Sequence, residues 1–272
     1  MPELPEVETV KNTLKLQVLN KKIKNVEVLW NLIDYPGIDE FKKNIVNQTI
    51  IDIKRRGKWL MFELNDYYLL NHLRMEGKYH LRKKDDKISK HEHVIFNFDD
   101  GTDLRYNDTR KFGKFHLIEK AKVYNVEPLC ELGLEPWDDN LNIEYLKDKY
   151  KNKRLPIKSV LLDQSIITGI GNIYADEILF LSKINPLKKC SDLNNKELSN
   201  IIKYTREVLS KAIELGGTTI KSYESSEGVH GKFQNNLLVH NHEGDKCINC
   251  GTIIDKIKVN GRGTYYCKNC QK

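Results

Sequence analysis

No run in the 272 residues approaches the roughly 20 apolar positions needed to cross a bilayer. The N-terminus is acidic and amphipathic rather than basic and then apolar, so no secretory leader is read there. Internal repeats are absent, which removes stacked-repeat architectures. Cysteine is scarce, six residues in all, and a chain of this length can bury a core without disulfides. Together these absences predict a cytoplasmic protein of about two domains, in which thiols stay reduced and paired cysteines suggest metal. Nor is there an excess of acid: Lys+Arg number 45 against 38 Asp+Glu, a net charge of +7. Residues 238–272 hold six Lys/Arg and three Asp/Glu, so this short tail alone carries +3. A basic chain with a basic tail leans towards a polyanionic partner.

The chain opens MPELPEVETV. Proline suits the first turn of a helix, and Glu3 and Glu6 suit the positive end of its dipole. Leu4, Val7, Val10, Leu14 and Val18 recur at helical spacing, so residues 1–18 are expected to form an amphipathic helix. Short β-branched and aromatic stretches follow: IKNVEVLW, TIIDIKRR, KWLMFELN, YYLLNHLRM, and a hairpin HVIFNFDDGTDLRYN turning at Asp100-Gly101. Residues 20–120 are therefore read as an antiparallel sandwich or barrel. EPLCELGLEPWDD reads as a linker. Beyond it, KELSNIIKYTREVLSKAIELGG is a helix with Leu198, Ile201, Ile202, Val208, Leu209 and Ile213 on one side, a cap at Asn194 or Asn195, and a stop at Gly216-Gly217. The polar stretch TTIKSYESSEGVHGKFQNN reads as a long loop, which at that length is usually functional or disordered.

Two C-x-x-C knuckles, Cys247/Cys250 and Cys267/Cys270, stand 16 residues apart. Between them lie strand-like pieces around Asn260-Gly261. This predicts a β-hairpin finger closed by one zinc ion, too small to hold a core without it. Four cysteine ligands leave no open coordination position, so the metal is read as structural. Cys130 and Cys190 are read as ordinary thiols.

GIGNIYADEILF is a glycine turn feeding a helix, a favourable place for an anion. It lacks the third glycine of a dinucleotide fingerprint. RRGKWL places Lys58 after a glycine at a strand edge. HLRMEGK and NDTRKFGKF present Met75, Arg110 and Phe112 in polar, glycine-bearing contexts. Core packing is the usual fate of Met and Phe, but apolar wedges of this kind also enter base stacks and fill the gap left by a flipped base. Arg262, between two glycines near the finger's tip, suits phosphate.

The set PELPEVET, RRGKWL, HLRMEGK, KHEHV, NDTRKFG, IKSVLLDQ, GIGNIYADE, GGTTI and GRGTYYCKNCQK runs the length of the chain. In this order it resembles the formamidopyrimidine-DNA glycosylases, bifunctional glycosylase/AP lyases of base excision repair that remove 8-oxoguanine and ring-opened purines from double-stranded DNA. The resemblance implies an α+β chain with three parts. These are a β-sandwich catalytic domain with an N-terminal helix (1–131), a helix–two-turns–helix domain with a lesion loop (132–237), and a zinc finger (238–272). It implies that Pro2, freed by loss of Met1, is the nucleophile and Glu3 its acid/base, with Glu6 organising the site. Lys58 would assist β-elimination, and Arg262 would assist δ-elimination and bind phosphate. Met75, Arg110 and Phe112 would fill the gap, with Arg110 facing the orphaned base. His91, Lys153, Lys158 and Asn172 would touch the DNA backbone, and residues 218–223 would cap the lesion. A monomer is expected. Lys111 stands where the family commonly has a second arginine, keeping charge but losing bidentate geometry.

Two alternatives stand beside this reading. Endonuclease VIII, which prefers oxidised pyrimidines, shares the proline, glutamate, lysine and finger. PELPEVET and the long polar loop favour the purine branch. A non-catalytic zinc-ribbon DNA-binding protein would explain the charge and the finger, but not Pro2-Glu3 together with Lys58.

Overall fold

A computed structural model describes residues 1–218 and 231–272. The chain divides into two compact units: Met1–Cys130 with Gly216–Gly231, and Glu131–Leu215 with Lys232–Lys272. Compactness thus groups the finger with the helices.

In the first unit, α1 spans Leu4–Val18. It begins three residues later than the expected Met1, at the first residue of the apolar period. Glu3 is its N-cap, with extended backbone, and Pro5 rather than Pro2 takes the first-turn proline position. Pro2 therefore precedes the helix and is buried. The inward face of α1 is the predicted one: Val7, Val10, Leu14 and Val18 are at most 1% exposed and join the sandwich core. Each such side chain contributes roughly 1.5–3 kcal/mol when buried.

That core lies between two sheets. One has the order β1-β7-β8-β6, built from Ile23–Val28, Glu92–Phe98, Thr102–Asn107 and Lys78–Lys83. The other has the order β2-β9-β5-β4-β3, from Ile33–Tyr35, Lys114–Glu119, Tyr67–His72, Trp59–Glu63 and Asp52–Arg56. The β7–β8 hairpin turns at Asp100-Gly101 as expected, with Gly101 at φ +83°. Three elements of this unit were not legible: β2, β6 and the short helix α2 (Ile38–Ile45). β2 is three residues long and pairs in parallel with β9, the one parallel pairing among the sandwich strands described here. Strands that short carry no readable alternation; their partners define them.

The second unit holds α3 (Ile143–Tyr150), α4 (Ile157–Leu161), α5 (Asn172–Ser182) and α6 (Asn195–Glu214). Asn194 and Glu197 cap α6 reciprocally, each side chain accepting the other's backbone N–H at 3.0 Å. Its buried face holds the expected Leu198, Ile201, Ile202, Val208 and Leu209, joined by Thr205, and Ala212 rather than Ile213 turns fully inward. The finger is the antiparallel pair β10 (Asp255–Val259) and β11 (Arg262–Tyr266), turning at Asn260-Gly261 with both residues at positive φ. Val239, Ile254, Cys247 and Cys267 share an apolar cluster with Phe180 of α5, so the finger's core is continuous with the helix. Among the described residues no helix is long and apolar enough to cross a membrane.

Candidate nucleic-acid interface and catalytic residues

Glu3 and Glu6 are both nearly buried, at 2% and 5% exposure. The Glu3 backbone N–H donates to Glu6 Oε2 at 2.9 Å. The other Glu6 oxygen, Oε1, accepts from the Thr218 backbone N–H at 2.7 Å and from its hydroxyl at 3.1 Å. Gly217 makes this approach possible. Its φ is +78°, and a β-carbon there would lie 2.7 Å from Glu6 Oε1. One carboxylate thus links the chain just behind Pro2 to the root of residues 219–230. The remainder of the expected lesion-capping segment lies outside the described residues.

Lys58, 6% exposed, sits in the β3–β4 turn beside Gly57, which adopts φ +56°. Arg55 anchors that turn: its Nη1 donates to the Gly57 carbonyl at 2.9 Å, and its Nε to Glu8 of α1 at 2.8 Å. The helix that Pro2 and Glu3 lead into and the turn carrying Lys58 are thereby fastened together. His72, missed in the sequence, stands at the end of β5 with its ring edge-on to Trp59. Burial, reinforced by Arg74, Lys58 and Lys114, pushes its pKa down to about 3, so it is neutral. Its Nδ1 accepts the Arg74 backbone N–H at 3.0 Å.

Met75 is half-buried in the β5–β6 turn, while Arg110 and Phe112 are exposed in the β8–β9 turn. Both turns rest on one side chain. A β-carbon at either Gly77 or Gly113 would sit 2.0 Å from the Tyr106 hydroxyl, so each position admits only glycine. The Arg110 guanidinium lies 4.9 Å from the Phe112 ring centroid. Sequence reading also missed Asp108, which is fully buried. Its carboxylate accepts the backbone N–H groups of Arg110, Phe112 and Gly113 at 2.8–3.0 Å. A D-T-R run after a strand, with glycine following, is the signal that could have found it.

His91 is half-buried, and its carbonyl accepts the Asp108 N–H at 2.9 Å. The loop before it is pinned by Arg105, a fully buried arginine. Its guanidinium donates to the carbonyls of Lys83 and Asp86 and to the carboxylates of Asp103 and Glu92.

In the second unit, Arg262 is exposed at the start of β11. Asn172, the first residue of α5, donates to the carbonyl of the neighbouring Gly263 at 3.0 Å. Lys158 donates to the same carbonyl at 3.1 Å and to Asp176 Oδ1 at 2.5 Å. Lys158 and Asp176 are both 0% exposed, so this ammonium faces the finger backbone rather than solvent. Lys158 and Asn172 thus hold the β11 backbone beside Arg262. Lys153 is half-buried and pairs with Asp163 at 3.0 Å. The glycine turn before α5 is built by Gln164, which donates to the Ile170 carbonyl and accepts the Gly169 N–H.

The four finger sulfurs lie within 4.8 Å of one another. Cys250–Cys267 and Cys247–Cys270 are 3.5 and 3.9 Å apart. A tetrahedral site with Zn–S of about 2.3 Å has edges of about 3.8 Å, so the cluster fits one structural zinc ion. Cys190 is buried, which pushes its thiol up to about 12, and Cys130 is exposed; neither belongs to the cluster.

This arrangement has close counterparts among known proteins. The description "Formamidopyrimidine-DNA glycosylase N-terminal domain" matches residues 1–115, the H2TH domain of the same glycosylases matches 132–224, and the zinc finger found in FPG and IleRS matches 244–272. The chain belongs to the formamidopyrimidine-DNA glycosylase family. A glycosylase of that name from Oceanobacillus iheyensis is 48% identical over 273 residues, which cover all of this chain and 98% of the relative. Two solved Lactococcus lactis structures are 40% identical, with full coverage of both chains. One is a mutant in complex with DNA containing Fapy-dG (TM-score 0.94), and the other is the wild type with DNA containing an oxidised pyrimidine (TM-score 0.92). Family membership makes this a DNA glycosylase with AP lyase activity that acts on damaged bases.

Proposed function

We propose that the protein excises oxidised purines, 8-oxoguanine and ring-opened formamidopyrimidines, from double-stranded DNA through an N-terminal proline Schiff base, and cleaves the strand by β,δ-elimination. DNA as substrate implies a cytoplasmic site of action. The observation that carries this reading is the seat of Pro2-Glu3, buried at the mouth of α1 and tied through Glu6 to Thr218.

While Met1 is attached, the Pro2 nitrogen is an amide. Its removal exposes a secondary amine; α-amino groups have pKa values of about 8, so a useful fraction is neutral near pH 7. The helix N-terminus next to it favours the neutral amine further. The amine nitrogen bonds to C1′ of the damaged nucleotide as the bond to the base breaks. The electron pair leaves with the base, which takes up a proton. Glu3 is the group placed to shuttle protons at the sugar. The amine nitrogen gives up its proton and the C1′–O4′ bond opens, its electron pair going to O4′, which takes up a proton; the secondary amine is thereby left as an iminium that is cationic at any pH, and the cation acidifies the C2′–H. Loss of that proton expels the 3′ phosphate, and the second elimination expels the 5′ phosphate. Lys58, fastened to α1, would serve the first elimination and Arg262 the second. In this reading Met75, Arg110 and Phe112 would fill the gap left by the flipped nucleotide, and His91, Lys153 and Asn172 would touch the DNA backbone.

A second reading, action on oxidised pyrimidines, gains weight from the Lactococcus lactis complex with such DNA. Borohydride trapping separates the two, after the N-terminal residue is checked by mass. A reduced adduct mainly with 8-oxoguanine opposite cytosine supports the purine reading, and one mainly with an oxidised pyrimidine replaces it. Pro2→Gly is expected to cut strand cleavage at least about tenfold, because a primary amine forms an imine that is cationic only when protonated. Unchanged cleavage would sink the proline mechanism.

A further inference from the structure

Lys111 separates Arg110 from Phe112 and adopts φ +59°, a left-handed conformation that costs a residue with a β-carbon roughly 1–2 kcal/mol. The neighbouring amides show what holds it there. Asp108 accepts the N–H groups of Arg110, Phe112 and Gly113, skipping only Lys111, whose own N–H reaches the Asp108 carbonyl at 3.3 Å. The Arg110 guanidinium pairs with the Phe112 ring, whereas the Lys111 ammonium lies 3.4 Å from the ring centroid of Trp30.

Trp30 is a half-exposed indole (48%) in the β1–β2 connection, and nothing in the catalytic reading uses it. Its backbone N–H and that of Leu29 donate to the His93 carbonyl at 3.3 and 2.8 Å. The His93 ring is tilted against the indole at 6.5 Å. His93 Nε2 meets the Asp108 carbonyl at 2.9 Å; a carbonyl only accepts, so that nitrogen carries a proton. The contacts therefore close a circuit from Asp108 through His93 and Trp30 to Lys111 and back to the turn.

We propose that Trp30 and Lys111 form a cation–π latch that holds the Arg110–Phe112 turn pre-formed, and that both act as positioning residues for discrimination of the base opposite the lesion. This rests on the reading above, in which Arg110 faces the orphaned base. The physical reason is pre-organisation. Arg110 can reject a wrong base only if its position is set before that base arrives, and a turn with a left-handed lysine would otherwise relax. It also gives the lysine at this position a function: its charge is committed to an indole rather than to a bidentate phosphate contact.

The test is single-turnover excision of 8-oxoguanine opposite cytosine and opposite adenine. Trp30→Ala and Lys111→Met are each expected to lower the cytosine-over-adenine rate ratio about threefold to fivefold, the size a partly exposed cation–ring contact can carry. The double variant should lose no more than either single one, because the latch is already open. Lys111→Arg, which keeps a cation over the ring, should retain the ratio. Arg110→Ala and Phe112→Ala test the underlying reading. If these two leave both excision and the ratio unchanged, the wedge assignment fails and the latch with it. If they matter, but Trp30→Ala and Lys111→Met leave the ratio intact or their effects add, the latch alone is overturned. Urea midpoints close to that of the unaltered protein establish that the variants compared are folded.

Discussion

The Thr218 backbone N–H donates to Glu6 Oε1 at 2.7 Å across 212 positions of sequence, while Oε2 of the same carboxylate holds the Glu3 N–H. The carboxylate has no oxygen left over, and it is the charged acceptor that both strands of chain need. It sets the Pro2-Glu3 entry and the start of the polar loop against each other.

Glu6→Gln puts an amide NH2 against one of these donors. A buried donor left without a partner costs about 1–3 kcal/mol. The excision rate on 8-oxoguanine is expected to fall by about tenfold or more, with a smaller loss on a preformed abasic site, which has no base to cap. Equal losses on the two substrates would show that Glu6 acts on the nucleophile alone.

Lys158 and Asp176 are fully buried, and the Asp176 Oδ2 also meets His240 Nδ1 at 2.7 Å. Removing one partner of such a pair typically costs about 3–5 kcal/mol, because the other charge stays buried. Lys158→Met should therefore lower the urea midpoint of the second unit clearly. A surface phosphate ligand would instead weaken DNA binding without changing the midpoint. Measuring both quantities on one variant decides between positioning and direct contact.

Removing zinc, by chelation or by Cys250→Ser, is expected to abolish DNA binding and destabilise the second unit, since Phe180 of α5 shares the finger's apolar cluster. The sandwich, with its separate core, should keep its own transition in calorimetry. A single transition that moves as a whole on chelation would contradict this modularity.

His72 contributes an acid-side instability. Its folded pKa of about 3 lies below the ordinary 6.5, so the unfolded chain binds the proton more readily. No cost is present above pH 6.5. Stability is lost progressively as pH falls from about 6.5 towards 3. His72→Gln should flatten that part of the stability curve, and imidazole resonances should report a neutral ring at pH 5. A ring that titrates near 6.5 would remove the effect.

Much of the protein was readable before any coordinate. The apolar face of α1, the Asp100-Gly101 and Asn260-Gly261 turns, an asparagine cap at 194 or 195 and the two cysteine knuckles all depend on neighbours a few residues away, through helical period, turn chemistry and ligand spacing. Their outcomes are local, so the sequence by itself determined them. The rest depended on partners distant in the chain. Whether the first helix starts at Met1 or Leu4 was decided by the Glu3–Glu6 bond, and the existence of β2 by its pairing with β9. That Lys158 turns inward was decided by Asp176, and the form of the Arg110–Phe112 turn by a buried Asp108 and by Trp30, some 80 residues earlier. A lysine or an aspartate carries the same letter whether solvated or buried. Only the fold supplies the opposite charge or the backbone donors that make burial affordable, and only there does its role become legible.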